Sequence, residues 1–229
     1  MTRPDGIIIA IDGPAGSGKS STARAVAAEL GYRHLDSGAF YRAMTLAALG
    51  ADLPPDRWEA LSSEDLARFG VESTPQGDAF LMTIQGLDVM QAIRAPQVNA
   101  EVSRMAAVGS VREWLLGALR RAGERGGLVA DGRDIGTVVF PDAELKLFLV
   151  AAPDERARRR LIEQGFIDPD HSQIRAEAAR LTQRDLQDSS RSVAPLLKAA
   201  DAVLLDTTGL SFESQVRAIV RLARQLSRA

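Results

Sequence analysis

Residues 7–20 read Ile7-Ile8-Ile9-Ala10-Ile11-Asp12-Gly13-Pro14-Ala15-Gly16-Ser17-Gly18-Lys19-Ser20. The apolar run predicts a buried strand, and directly after it stands the pattern G-x-x-x-x-G-K-[ST], a phosphate-binding loop that implies a nucleoside triphosphate. Glycines at 13, 16 and 18 remove Cβ atoms, so successive backbone N–H groups can turn inward around phosphate oxygens. Lys19 supplies a point charge and Ser20 a hydroxyl for Mg²⁺. Ala23, Val26, Ala27 and Leu30 then recur at helical spacing, and Gly31 stands where a helix-terminating glycine belongs, so the loop feeds the positive end of a helix dipole.

Further strand-like runs occur at His34–Asp36, Leu128–Ala130, Leu145–Val150 and Val203–Leu205, separated by helix-like segments. That alternation predicts an α/β fold, a three-layer sandwich around a mostly parallel sheet. Val216, Ile219, Val220 and Ala223 mark a last helix, with Ser211 near its start. Two stretches depart from the alternation. Val71–Val89 carries turn signals at Pro75, Gly77, Asp78 and Gly86 and reads as a small antiparallel insertion. Glu155–Arg191 is rich in arginine and broken at Gly165–His171, the form of a helical lid that excludes water. One domain over 1–229 is expected, with the insertion at about 61–102 and the lid at about 155–184.

The chain has 229 residues, 45% hydrophobic and 25% charged, with a net charge of −2, which is ordinary for one globular core. The charge balance argues against a chain devoted to coating nucleic acid. Cysteine is absent, so thiolate nucleophiles, disulfides and cysteine-held metals are excluded and a reducing compartment fits. Met1–Gly6 shows no signal or transit pattern, and no apolar run reaches the roughly 20 residues of a membrane helix. A cytoplasmic location is expected. A GTPase-type switch would need an Asn-Lys-x-Asp motif, and the single asparagine, Asn99, is followed by Ala100.

Several constellations have the makings of chemistry. Arg184, Asp188 and Arg191 are spaced i, i+4, i+7 and share a face if helical. Arg156, Arg158, Arg159 and Arg160 cannot all share one face, so some are merely solvated. Asp131 ends a strand-like run, where a carboxylate can hold Mg²⁺ directly or through water or can cap the Gly132 turn. Asp36 is open in a similar way, orienting an arginine or acting near a phosphoryl group. His34 and His171 have no partner pattern and read as structural or exposed.

After these residues the sequence Asp36-Ser37-Gly38-Ala39-Phe40-Tyr41-Arg42 resembles the nucleoside monophosphate kinases, specifically the bacterial cytidylate kinases with their pattern Asp-[Ser/Thr]-Gly-Ala-x-Tyr-Arg. The resemblance continues through Ile93-Arg94, Val111-Arg112-Glu113, Ala130-Asp-Gly-Arg-Asp-Ile-Gly-Thr-Val-Val-Phe-Pro-Asp142, the arginine cluster, Arg184-Asp185 and Ala194-Pro195-Leu196, nearly the whole chain. It implies transfer of a phosphoryl group from MgATP to CMP or dCMP. A monomer is expected, and the charge balance and apolar runs above predict no nucleic-acid or membrane partner. It implies that Gly13, Pro14, Ala15, Gly16, Ser17, Gly18, Lys19, Ser20, Ser21 and Arg158 hold ATP, with Ser20 and Asp131 at the metal. The acceptor residues it implies are Ser37, Tyr41, Arg42, Ser103, Arg112, Arg133, Asp134, Arg184, Asp188 and Arg191. Arg42 and Arg133 would hold the acceptor phosphate, Arg184 and Asp188 the ribose, Arg191 the phosphate, and Ser103, Arg112 and Asp134 the cytosine. Lys19, Arg133, Arg184 and Arg191 are the implied catalytic set. Phe40 departs from the smaller apolar residue common in that family.

Overall fold

The computed structural model describes residues 3–227; Met1 and Thr2, the start of the stretch read for a signal, lie outside the described residues. Strand β1 (Ile8–Asp12) is central. It pairs in parallel with β6 (Leu128–Asp131) on one side and β7 (Leu145–Val150) on the other. Strand β2 (Arg33–Asp36) lies outside β6 and β8 (Val203–Asp206) outside β7, giving the order β2-β6-β1-β7-β8, parallel throughout.

Alternation along β1 sorts its side chains between two cores. Ile8 and Ala10 face a cluster with helices α2 (Ser37–Gly50), α4 (Pro96–Met105) and α5 (Gly109–Gly123). Ile7, Ile9 and Ile11 face α1 (Lys19–Leu30) and α8 (Phe212–Leu226). Both faces of the sheet are therefore covered, as a parallel sheet requires. Gly31 is left-handed at the end of α1 and Ser211 caps α8. Phe40 is buried in the first core, so its extra bulk fills core volume.

The insertion is the hairpin β3 (Val71–Gln76) and β4 (Ala79–Ile84) with the short β5 (Leu87–Asp88). Pro75 is a correction to the turn reading: it lies inside β3 opposite Phe80, and the turn is Gly77–Asp78. β3 is an edge strand, where a residue without an N–H is tolerated. Phe80 and Met82 of β4 are buried in the first core, and the His34 N–H donates to the Asp78 carbonyl at 2.7 Å. Between α2 and β3, a 3₁₀ turn (Pro55–Ala60) and α3 (Ser63–Arg68) are too short to show periodicity, yet they bury Trp58 and Leu66.

Helices α6 (Pro153–Glu163) and α7 (His171–Ser189) form the arginine-rich hairpin. A third small core joins them to the phosphate loop through Ala15, Ala157, Leu161, Ile174, Ala178 and Leu181. No helix among the described residues is long and apolar enough to cross a membrane.

Trp58 is fully enclosed and its indole N–H donates to the Leu53 carbonyl at 3.0 Å. Trp58→Ala is expected to destabilise the fold by about 3–5 kcal/mol, whereas Ile167→Ala, at a side chain 99% exposed, should stay within about 0.5 kcal/mol. Urea denaturation of the two variants checks the contrast.

Candidate active site

The strand register brings carboxylates to one level at the C-terminal edge of the sheet. Asp36 and Asp131 are partners across β2 and β6, and Asp131 is the partner of Ile11, one residue before Asp12. Ligands of open α/β sheets bind beyond this edge. A cavity of about 430 Å³ opens there, between the phosphate loop, α2, α4 and α5, the turn after β6 and the α6–α7 hairpin.

The loop leaves β1 through Gly13, whose φ is 148° and where a Cβ would come within 2.1 Å of the Leu149 carbonyl oxygen. Only glycine lets the chain turn so close to β7. Gly18 begins α1 with no side-chain cap, so the N–H groups of the first turn face the cavity mouth. The Lys19 ammonium donates to the Pro14 carbonyl at 2.6 Å and to Ser17 Oγ at 3.3 Å. Burial, and next the charge of Arg133, hold its pKa well below the ordinary lysine value, an environment that favours a negative ligand.

Ser20 Oγ donates to Asp131 Oδ2 at 2.5 Å, and the other Asp131 oxygen pairs with His34 Nε2 at 2.7 Å. Burial would raise the Asp131 pKa, but the hydrogen bonds from His34 and Ser20 and the charge of Lys19 hold it below the usual carboxylate range. Ser20 and Asp131 are hard oxygen donors suited to a divalent cation. Among the described residues no group of three or more His, Asp or Glu side chains is placed to hold a metal ion. Ser20 and Asp131 are the residues that would hold such a cation.

The opposite wall is cationic. Asp36 caps α2 by accepting the Ala39 N–H at 3.2 Å and receives Arg94 Nη2 at 3.4 Å. Arg42 lies over Gly38, where a Cβ would meet its Nη1 at 2.6 Å. Arg133 Nε donates to Asp188 Oδ2 at 2.8 Å. Despite burial, the charges of Arg133 and Arg191 keep the Asp188 pKa low. Arg112 and Asp134 form a buried ion pair, with the Arg112 guanidinium 5.3 Å from the centre of the Tyr41 ring. Burial raises the Asp134 pKa against the pull of Arg112, Arg191 and Arg133. Burial, with Arg133 and Arg42 nearby, lowers the Arg184 pKa to about 10. Arg42, Arg184 and Arg191 line the cavity without an ion-pair partner among the described residues, so the cavity presents positive charge that its own carboxylates do not balance one for one.

Most residues expected from the sequence meet on this wall. Ala15, Gly16, Gly18, Lys19, Ser20 and Ser21 line the donor end; Ser37, Tyr41, Arg42, Ser103, Arg112, Asp131, Arg133, Asp134, Arg184, Asp188 and Arg191 line the rest. Gly13, Pro14 and Ser17 form the loop behind it. Arg158 is exposed and does not line the cavity, and Arg160 does. α7 ends at Ser189, so Arg191 reaches the cavity from beyond the helix, donating to the Asp188 carbonyl at 3.1 Å and the Ala106 carbonyl at 3.3 Å. The shared helical face expected of Arg184, Asp188 and Arg191 therefore does not form.

The sequence reading missed three pairings. His34 is joined to Asp131. Asp185 accepts the Ala15 N–H at 2.8 Å and also Arg156, which ties the α6–α7 hairpin to the loop. Asp12, 3% exposed, accepts the Ile135 N–H at 2.8 Å and the Gly136 N–H at 2.7 Å. Burial raises its pKa to about 7 against the effect of those two bonds. For Asp12 the only sequence signal is a carboxylate ending an apolar strand.

A family model described as Cytidylate kinase matches residues 9–225. A protein of Desulfitobacterium hafniense (strain Y51) described as "Cytidylate kinase" is 46% identical over 215 residues, covering 93% of this chain and 91% of that protein. A Synechococcus elongatus protein described as "Bifunctional pantoate ligase/cytidylate kinase" is 47% identical over 224 residues, 95% of this chain and 42% of that protein. The chain thus spans less than half the length of such two-activity relatives. A solved structure of an uncharacterized protein from Eubacterium ventriosum ATCC 27560 matches with a TM-score of 0.51 at 14% identity, covering 96% of this chain and 98% of that one, a likeness of fold alone.

The loop and the cationic wall facing it predict binding of a bare polyanion. Inorganic tripolyphosphate at about 100 times its Kd should raise the thermal midpoint by roughly 5–10 °C. Lys19→Ala should remove most of that rise, and 0.5 M NaCl should weaken binding at least about tenfold by screening. Thermal scans with and without the ligand measure both.

Proposed function

Because the chain belongs to the cytidylate kinase family, we propose that it transfers the γ-phosphoryl group of MgATP to CMP or dCMP, giving ADP and CDP or dCDP. The observation that carries this reading is the joining of a phosphate loop and an arginine-rich wall in a single cavity. Two polyanions must be brought together, and positioning with charge neutralisation is most of what such a transfer needs. An oxygen of the acceptor's phosphate attacks the γ-phosphorus, and the bond from that phosphorus to the bridging oxygen of ADP breaks. The attacking oxygen is already ionised at neutral pH, so no general base is required.

Residue roles come from the fit between chemistry and place. The loop N–H groups and Lys19 bind the donor's phosphates. Ser20 and Asp131 would hold a Mg²⁺ ion, which when bound would neutralise charge on the donor phosphates. Arg42 and Arg133 hold the acceptor phosphate through planar guanidinium forks. Arg184 and Arg191 stabilise charge on the moving group, and their place in the cavity lining without an ion-pair partner among the described residues supports that role. Asp188, the ion-pair partner of Arg133, orients that guanidinium and faces the ribose. Arg112, Asp134 and Ser103 read the base. Among the lid arginines, Arg160 is the better candidate for the donor phosphates than Arg158. The net charge of −2 and the absence of cysteine support a small-molecule enzyme of the cytoplasm.

Purified protein assayed with MgATP against a panel of nucleoside monophosphates and small metabolite alcohols tests the acceptor. Preference for UMP or for an alcohol would replace CMP in this reading.

Asp134 gives a sharper expectation, since uracil presents a carbonyl where cytosine presents its 4-amino donor. A carboxylate facing that carbonyl should favour CMP over UMP by at least about tenfold. Asp134→Asn, whose amide can donate or accept, should lower kcat/KM for CMP and shrink the CMP to UMP ratio. An unchanged ratio would remove Asp134 from base reading.

For the lid, amide hydrogen exchange over 155–184 should slow when both nucleotides are bound, most strongly in the exposed connection around Phe166 and Ile167. Equal exchange in the two states would leave the arginines as a fixed surface.

A further inference from the structure

Asp12 is an ionisable side chain buried at the end of the central strand, and among the described residues it makes no ion pair. Its two oxygens are committed to consecutive backbone donors, Ile135 and Gly136. Those residues open the turn that directly follows Arg133 and Asp134. The next residue after Asp12 is Gly13, the first of the phosphate loop. One carboxylate therefore joins the strand that launches the donor site to the turn that carries two acceptor residues.

The two sides of this joint are held unequally. β1 is fixed by ladders to β6 and β7, and the loop is braced separately by Asp185 on the Ala15 N–H. The turn is tied at its beginning by the Gly132 N–H on the Ile11 carbonyl and by Ser37 Oγ on the Asp131 carbonyl. Beyond Asp134, Asp12 holds the start of the turn, while Arg120 holds its far end by donating to the Val139 carbonyl at 3.1 Å and the Val138 carbonyl at 2.9 Å. Releasing Asp12 should loosen the start of the turn, next to Arg133 and Asp134, and leave the loop in place.

We propose that Asp12 is a positioning residue that sets Arg133 and Asp134 against the phosphate loop through its paired bonds to the Ile135 and Gly136 amides. The inference rests on the acceptor being a nucleoside monophosphate bound at Arg133 and Asp134. The groups facing Asp12 are Asp134 from the turn and Lys19 from the start of α1, with the Lys146 stem of β7 lying beside Gly136. None of them replaces its two acceptor oxygens.

Asp12→Asn keeps the shape but offers one acceptor, and sets an amide N–H against the other backbone donor. The expected result is a KM for CMP raised at least fivefold with the KM for ATP within twofold, and faster exchange of the Ile135 and Gly136 amides. Unchanged constants for both nucleotides, or an equal loss for both, would overturn the proposal. Should the variant not fold, the unaltered chain carries the test through binding of cytidine 5′-sulfate, a monoanion across the range used. Its affinity should fall at least threefold from pH 8 to pH 6, as Asp12 gains a proton and one oxygen stops accepting, while affinity for tripolyphosphate changes less. A flat response for the cytidine ester overturns the inference. Failure of the unaltered chain to bind or phosphorylate CMP at pH 8 is distinct, and overturns the acceptor reading together with the inference.

Discussion

Like charges forced into one small space govern this molecule. Eight arginines and a lysine line the cavity against four aspartates and one glutamate. Each cation that loses water there carries a desolvation cost, and its neighbours of like charge add to it. The lowered pKa values of Lys19, Arg42, Arg184 and Arg191 all have burial as their first cause. The surrounding fold must supply rigid walls and carefully placed carboxylates to keep this arrangement, and an anionic ligand relieves it.

The carboxylates come from the sheet. Parallel strands deliver their C-terminal ends to one edge, and the register aligns Asp36 with Asp131 beside Asp12. Each is used differently. Asp131 divides its oxygens between Ser20 and His34, Asp36 caps α2 and receives Arg94, and Asp12 reaches the backbone of the next turn. Acidic groups from helices and turns complete the set, Asp188 on Arg133 and Asp134 on Arg112.

Local signals made the strands, α1, α8 and the phosphate loop legible, because period, capping residues and glycine spacing are written within a few residues. Arg133, Asp134 and Arg112 had no such signal and entered through the family likeness. The rest depends on distance in the chain. His34 and Asp131 are 97 positions apart, and Asp12 is 123 from Ile135. No periodicity records a pairing of that kind. Arg191 was misplaced for a local reason: the i+7 spacing holds only while the helix continues, and α7 stops at Ser189. Among the clustered arginines, spacing could not choose a face, and the packing of α6 turned Arg156 inward to Asp185 and left Arg158 in water.

The hydrogen bond from the His34 N–H to the Asp78 carbonyl has a use beyond the cavity. β2 is an outer strand of the large sheet, and an uncovered outer strand is a template on which another chain can add. The hairpin turn occupies one of its outward donors, and Phe80, seated under the Arg33 guanidinium at 5.6 Å, fills the space beside it. The insertion thereby acts as a guard against edge-to-edge aggregation. At the opposite margin β8 keeps Val203 and Leu204 exposed, so solubility is protected unequally at the two ends of one sheet.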